Sequence, residues 1–355
     1  MDFSFKKCSS LNIGIELELF IVDSTTYKLK RVRDKIFEVI PQKYSKYLKK
    51  EYFQSIIEIV SPVFNSLDEI APFFDKIFNQ LKNAAKIYDA KIIGLGTHPF
   101  AKITDAKPTP DKRYEKLKNE LQMVLDRFLI FGMHIHIGLP DEVAAVNVHN
   151  HTLKYMPLML ALSTSSPFFE GKNTGLHSYR SLIFENLPRG GVPEYLDNYE
   201  DFINSTKLLY HHNFIEKYND LWWDVRIRPD YGTVELRICD STNNINRILA
   251  ITALYYLIAK NFCNKKCEKL FYPVLKQNKW NAIRYSLDGN FILNDKKEKI
   301  NTLIKALIEK HSDTIDNKYL QIINDYAENK SISYKLVENY NKFNNLLNLC
   351  KLGEI

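Results

Sequence analysis

Glu16 and Glu18 stand two residues apart in Ile13-Gly14-Ile15-Glu16-Leu17-Glu18-Leu19-Phe20, a stretch that otherwise reads as a buried strand. Successive side chains of a strand point to opposite faces, so the two acids share a face, about 6.6 Å apart at ~3.3 Å rise per residue. Ile15, Leu17 and Leu19 take the other face. The device recurs. Glu58 is a lone acid inside the β-branched run Phe53–Pro62. His134 and His136 share a face of Gly132–Gly138, and Glu235 and Arg237 share a face of Thr233–Asp240. Each pattern has a plain reading: a solvated face with basic partners, hydrogen-bonded histidines, or a surface ladder between strands. Recurrence on four strands, spread over about two thirds of the chain, weighs against it. Four carboxylates on one sheet face require cations, because buried charge is costly unless paired or bound. Oxygen ligands with sparse imidazole suit Mg²⁺ or Mn²⁺ at ~2.1 Å. Thiolate-poor ligation argues against structural zinc. Arginines beside such a cluster suit phosphate and carboxylate groups through bidentate bonds. The set points to chemistry on ATP phosphates without a glycine-rich phosphate loop, since neither G-x-x-x-x-G-K-[ST] nor a strand followed by G-x-G-x-x-G occurs.

The elements that must position these groups are legible in outline. Val22–Thr25 reads as a turn, with a return strand over Tyr27–Val32, and Asp34–Val39 reads as a helix ended by Pro41. Helical spacing runs over Ser66–Tyr88, with Ser66-Leu67-Asp68-Glu69 as a capping-box start. Lys91–Phe100 reads as a strand entering a glycine-punctuated turn, and Tyr114–Phe128 as a helix. Val143–Thr164 is a long apolar helix interrupted at Pro157. Glu170–Gly191 reads as a long functional loop. Leu221–Pro229 and Thr233–Asp240 form a hairpin across Asp230-Tyr231-Gly232, with Trp222 and Trp223 read as core. Ile245–Phe262 is a buried helix. The tail from Lys296 to Ile355 reads as peripheral helices.

Composition sets the frame. The chain has 355 residues, 45% apolar and 13% aromatic, enough for a sizeable core. A net charge of +7 is spread along the chain, so nucleic-acid binding is not expected. Five scattered cysteines suggest reduced thiols in the cytoplasm, with Cys239 read as a small buried residue and not a nucleophile. The N-terminus lacks the apolar run of a signal peptide, and the run Ile248–Ala259 is too short to span a bilayer. No internal repeat or flexible linker occurs, which favours one domain.

Several motifs carry a family resemblance. Gly14-Ile15-Glu16-Leu17-Glu18, Thr97-His98-Pro99-Phe100, Gly132-Met133-His134-Ile135-His136-Ile137-Gly138, Thr174 to Ser181, Leu221 to Arg226, Thr233 to Asp240 and Asn278 to Tyr285 appear in that order. Together they resemble the carboxylate–amine ligases of the glutamate–cysteine ligase type 2 family, over about residues 12 to 290. The resemblance implies an α+β, glutamine-synthetase-like catalytic fold: a curved, mostly antiparallel sheet funnel with helices on its outer face. It implies a ligase domain over 1–295, with 296–355 as a helical extension packed on the same domain. It also implies ATP- and Mg²⁺-dependent joining of a carboxylate, typically the γ-carboxylate of glutamate, to an amine such as cysteine. By motif match Glu16, Glu18, Glu58, His136 and Glu235 would hold Mg²⁺ or Mn²⁺, with His134 a further candidate. Arg237 would stabilise the transferring phosphoryl group beside Glu235, Arg180 and Arg226 would meet substrate carboxylate or phosphate, and Arg284 would meet the nucleotide phosphates. The implied partners are small molecules, neither nucleic acid nor membrane, with at most a homodimer.

The pattern departs from the family at Ile56, where a glutamine is usual, at Asn281, where an arginine is usual, and at Arg228-Pro229-Asp230-Tyr231-Gly232, where a Pro-Ser-x-x-x-Pro is usual. These changes leave the metal framework and touch substrate recognition. Two other functions fit the residues: a phosphotransferase on the same fold without ligation, and a non-catalytic metabolite-binding relative. The complete acidic set counts against the second.

Overall fold

The computed structural model describes residues 1–355. Its centre is a seven-stranded sheet of β1 (Ile13–Asp23), β2 (Leu48–Lys50), β3 (Ile56–Val60), β4 (Ala90–Ile93), β5 (Gly132–Gly138), β6 (Val225–Arg228) and β7 (Thr233–Asp240). The order is β6-β7-β5-β1-β3-β2, with β4 also paired to β1. Every pairing in this sheet is antiparallel. The expected α+β class with a largely antiparallel sheet is what the chain adopts, and the sheet is open, with β6 and β2 at the ends of the order.

β1 can serve three partners because it has 11 residues. Ile13–Leu17 pair with β5, Glu16–Phe20 with β3, and Phe20–Asp23 with β4. Its alternation divides the molecule. Ile13, Ile15, Leu17, Leu19 and Ile21 enter the main core with the helices Ile70–Lys86, Glu142–Ser163 and Ile245–Phe262. Glu16 and Glu18 lie on the opposite face. Further along that face Phe20 and Val22 enter a second apolar core with Phe53, Ile56, Phe131, Leu349 and Cys350. One sheet face is thus polar at one end and sealed with apolar side chains at the other.

The structure departs from the sequence reading at several elements. The helix Glu142–Ser163 runs through Pro157 without a break, because nearly all its residues are buried and packing outweighs one lost hydrogen bond. Ser66 makes no capping hydrogen bond, and a 3₁₀ turn over Leu67–Glu69 precedes the helix instead. The return after the first turn is reduced to one bridge, Val22 to Leu29. The stretch Glu170–Gly191, read as a long loop, holds the two-residue strands Lys172–Asn173 and Gly190–Gly191 and the helix Tyr179–Glu185.

The tail is not merely peripheral. Leu349 and Cys350 are fully buried. Gly353 accepts a hydrogen bond from the Gly94 amide at 2.8 Å, and the Ile355 amide donates to Ile92 at 3.1 Å, so the chain end runs beside β4. No helix is long and apolar enough to cross a membrane.

Candidate metal centre and its two cavities

Strand register assembles the site. Across four strands, Gly14, His136, Glu235 and Arg226 form one row. Glu16 lies opposite His134, and Glu18 opposite Glu58. The expected acids are therefore brought together, but as two clusters. Glu16, His136 and Glu235 can offer ligand atoms within 4.8 Å of one another, and so can Glu18, Glu51 and Glu58. Glu51 was absent from the sequence reading. It follows the edge strand β2, in the polar run Lys49-Lys50-Glu51 with no alternation to mark it. Its only signal is spatial: β2 sets Lys49 opposite Glu58.

The first cluster is held by surrounding donors. Glu235 is fully buried. Arg226 donates to its Oε2 from Nε at 2.9 Å and from Nη2 at 2.7 Å, and Arg237 Nη1 donates to Oε1. Burial alone would raise this carboxyl, but Arg226 and Arg237 outweigh it and hold it well below the usual carboxylate range. Burial likewise acts to raise Glu16, and the hydrogen bond from His134 together with the neighbouring His136 imidazole holds it low. His136 Nδ1 pairs with Thr233 Oγ1 at 3.0 Å. Its Nε2 is buried without a hydrogen-bond partner and faces Glu16 Oε1 at 3.6 Å and Glu235 Oε1 at 3.8 Å. A fixed ring with an orphaned nitrogen aimed between two carboxylates fits a divalent cation with oxygen and imidazole ligands.

The second cluster has the opposite electrostatics. Burial, then the charge of Glu51, pushes Glu18 up to about 7. Glu58 is raised well above its usual value by burial and by Glu51, Glu16 and Glu18, and burial also raises Glu51. Three carboxylates crowded this way fit a hard cation that supplies the missing positive charge.

His134 belongs to neither cluster: its Nδ1 lies 3.1 Å from Glu16 Oε2 and 3.5 Å from Arg237 Nη1. Arg237 reaches the site because β7 is bulged between Leu236 and Cys239 against β5, an irregularity common beside active sites. Its amide is pinned to the Asp224 carbonyl at 2.8 Å. Asp224 is in turn fixed by the buried Lys279 at 2.7 Å. Arg180 crosses Gly132 and donates to the carbonyls of Ile238 and Arg237 at 3.2 and 3.3 Å. Arg226 spends its remaining Nη1 donors on the Tyr218 and Leu221 carbonyls, so its structural role here is to hold Glu235. Arg284 lines neither cavity described below; its guanidinium lies 4.9 Å from the Tyr285 ring.

Two cavities meet at Glu16 and Tyr231. One, of about 450 Å³, is lined by Lys6, Lys7, Asn12, Gly14 and His136. The other, of about 390 Å³, holds Glu18, Glu51, Glu58, Arg180 and Arg237. Arg113 and Arg228, both unflagged by sequence as site residues, also line it. Arg228 is clamped to Asp230 and lies under the Tyr231 ring, so the unusual Arg228–Gly232 turn forms the junction between cavities. Ile56 lines the second cavity, whereas Asn281 ties its helix to the Asn290 carbonyl at 2.7 Å. Trp222, expected in the core, is half-buried and lines the second cavity. All five cysteines are unpaired, and burial pushes the Cys239 thiol up to about 12, which makes it a packing residue.

The architecture is that of glutamate–cysteine ligases. The Francisella tularensis glutamate–cysteine ligase in complex with AMP superposes with a TM-score of 0.73 at 15% identity, over 99% of this chain and 88% of that one. A bifunctional glutathione synthetase from Pasteurella multocida gives 0.70 at 13%, over 97% of this chain and 52% of that one. The chain belongs to glutamate–cysteine ligase family 2, whose family model matches residues 12–321. It is similar to a protein of Solibacter usitatus provisionally named glutamate–cysteine ligase 2, 35% identical over 86% of this chain and 82% of the relative. A protein of Chloroflexus aurantiacus with the same provisional name is 32% identical over 95% and 85%. The protein is thus an enzyme of the C–N ligase class.

Proposed function

We propose that the protein is an ATP- and Mg²⁺-dependent carboxylate–amine ligase that activates a carboxylate, the γ-carboxylate of glutamate in the first instance, as an acyl phosphate. The observation that carries this reading is the paired set of carboxylate clusters at the meeting of two cavities. In-line phosphoryl transfer places the leaving and attacking oxygens on opposite sides of the phosphorus, so donor and acceptor must approach from opposite sides. Membership of the family and the AMP bound to the Francisella tularensis relative support a nucleotide as donor.

The cavity with Lys6 and Lys7 suits the nucleotide, and the cavity with Arg180 and Arg237 suits the carboxylate. Glu16, His136 and Glu235 would hold one cation, and Glu18, Glu51 and Glu58 another. The cations would supply charge neutralisation for the phosphates. Arg237, set on its bulge, meets the charge that develops on the phosphoryl group. A carboxylate oxygen bonds to the γ-phosphorus and the bond to ADP breaks. The amine nitrogen then bonds to the acyl carbon, and phosphate leaves with the C–O electron pair. The displaced amine proton passes to solvent.

The test is ADP release. It requires carboxylate and amine together with Mg²⁺, and release that is indifferent to both substrates contradicts the reading.

A further inference from the structure

Building on the ligase reading, we infer that the amine acceptor carries an apolar or aromatic body, larger than ammonia or a cysteine side chain. The cavity of Glu18, Arg180 and Arg237 has a second wall of another kind. Tyr114, Leu117, Leu125, Phe128, Phe184 and Trp222 line it, and they come from separate stretches of the chain. Leu125 and Phe184 belong to a third apolar cluster distinct from the two cores, with Leu117, Phe128 and Trp222 packed against it.

The wall is organised. Phe128 and Phe184 rings lie 6.0 Å apart, and the Arg189 guanidinium lies 4.7 Å from the Trp222 ring. Leu117, Phe128 and Trp222 are each half-buried, and the surface they keep open contributes to this cavity. A glutamate carboxylate is accounted for by the arginine and carboxylate wall. It leaves the apolar wall against water, and so would ammonia. With the carboxylate placed in this cavity by the ligase reading, its acyl carbon faces the same space, so the nucleophile that attacks it enters here and not from the nucleotide side. An amine whose body covers the wall removes apolar surface from water, and one well-placed methylene in such a pocket changes kcat/KM by about tenfold or more.

The experiment separates this inference from the ligase reading through hydroxylamine, a small nucleophile that captures an acyl phosphate without help from the wall. The protein is incubated with Mg·ATP and glutamate, and hydroxamate formation is measured. Phenethylamine, isoamylamine, phenylalanine, cysteine and ammonia are then compared as acceptors by kcat/KM. The inference expects hydroxamate, and an apolar or aromatic amine at least tenfold better than cysteine or ammonia. It further expects Leu117→Gln to raise the KM for that amine about tenfold and the KM for ATP less than twofold. Hydroxamate with cysteine or ammonia as the best acceptor overturns the inference and leaves the ligase reading standing. A Leu117→Gln effect on ATP instead of the amine assigns the wall to the nucleobase and also overturns it. No hydroxamate with glutamate or other carboxylates overturns both.

Discussion

Glu235 illustrates how much of the site is decided by single side chains. Two arginines hold it ionised, and its Oε1 faces the His136 nitrogen that lacks a partner. Glu235→Gln removes a ligand charge while preserving shape. We expect kcat to fall by about 10²- to 10³-fold, the range seen when a preorganised electrostatic group is lost, with the circular dichroism spectrum unchanged. His98 makes a second prediction at this scale. Its Nδ1 accepts from the Phe100 and Ala101 amides at 3.2 and 2.9 Å, and its Nε2 lies 2.9 Å from the Tyr27 carbonyl. The ring is neutral, and burial lowers its pKa from 6.5 to about 4. Between these values the unfolded chain binds the extra proton. The stability His98 contributes is complete above pH 6.5 and is lost as the pH falls toward 4. Urea unfolding should show a His98→Asn penalty at pH 7.5 that shrinks by at least about 1 kcal/mol at pH 5. An equal penalty at both values contradicts the assignment. Glu16, Glu18, Glu58, His136 and Glu235 were legible because polar residues stood out against strand alternation. Glu51, Arg113 and Arg228 were not, because they lie beside an edge strand, in the first turn of a helix and at a strand end, where polar residues are ordinary. Arg226 was legible as a site residue, but its engagement with Glu235 depends on the pairing of β6 with β7.

The elements act as rigid carriers whose register turns a pattern into a geometry. The division into two clusters follows from Gly14 pairing with His136 while Glu18 pairs with Glu58. No sequence periodicity contains that information, since a one-residue slip in either ladder changes the partners. The bulge in β7 and the glycine in β5 cooperate in the same way. A Cβ built on Gly132 would stand 2.1 Å from Arg180 Nη2. Gly132→Ala therefore has to push the guanidinium off the bulge carbonyls. The expected result is a loss of about 1–3 kcal/mol in unfolding free energy and a rise of about tenfold or more in the KM for the carboxylate. Unchanged carboxylate KM in a folded variant would show that Arg180 does not serve that substrate. The helix through Pro157 and the buried end of the tail were illegible for a related reason: both are decided by packing partners far away in sequence.

The molecule is built on a central seven-stranded sheet with a sealed apolar end and a charged end whose second carboxylate cluster makes no ion pair. Such an arrangement should be stabilised by the ions it is built for. Mg²⁺ or Mn²⁺ at about 100 times its dissociation constant should add about 2.7 kcal/mol, visible as a rise of a few degrees in Tm. Glu51→Gln with Glu58→Gln should diminish that rise and leave the part due to the cluster of Glu16, His136 and Glu235, and an undiminished rise in the double variant would exclude the second cluster as a cation site. The central claim, that a carboxylate is phosphorylated and then joined to an amine, is tested most directly with glutamate labelled with ¹⁸O in both γ-carboxylate oxygens. The products of a reaction with Mg·ATP and an accepted amine are read by mass spectrometry. An acyl-phosphate route leaves one ¹⁸O in the released phosphate and one in the amide, for every ADP formed. Phosphate free of label, or a phosphorylated product that never condenses with the amine, would contradict it.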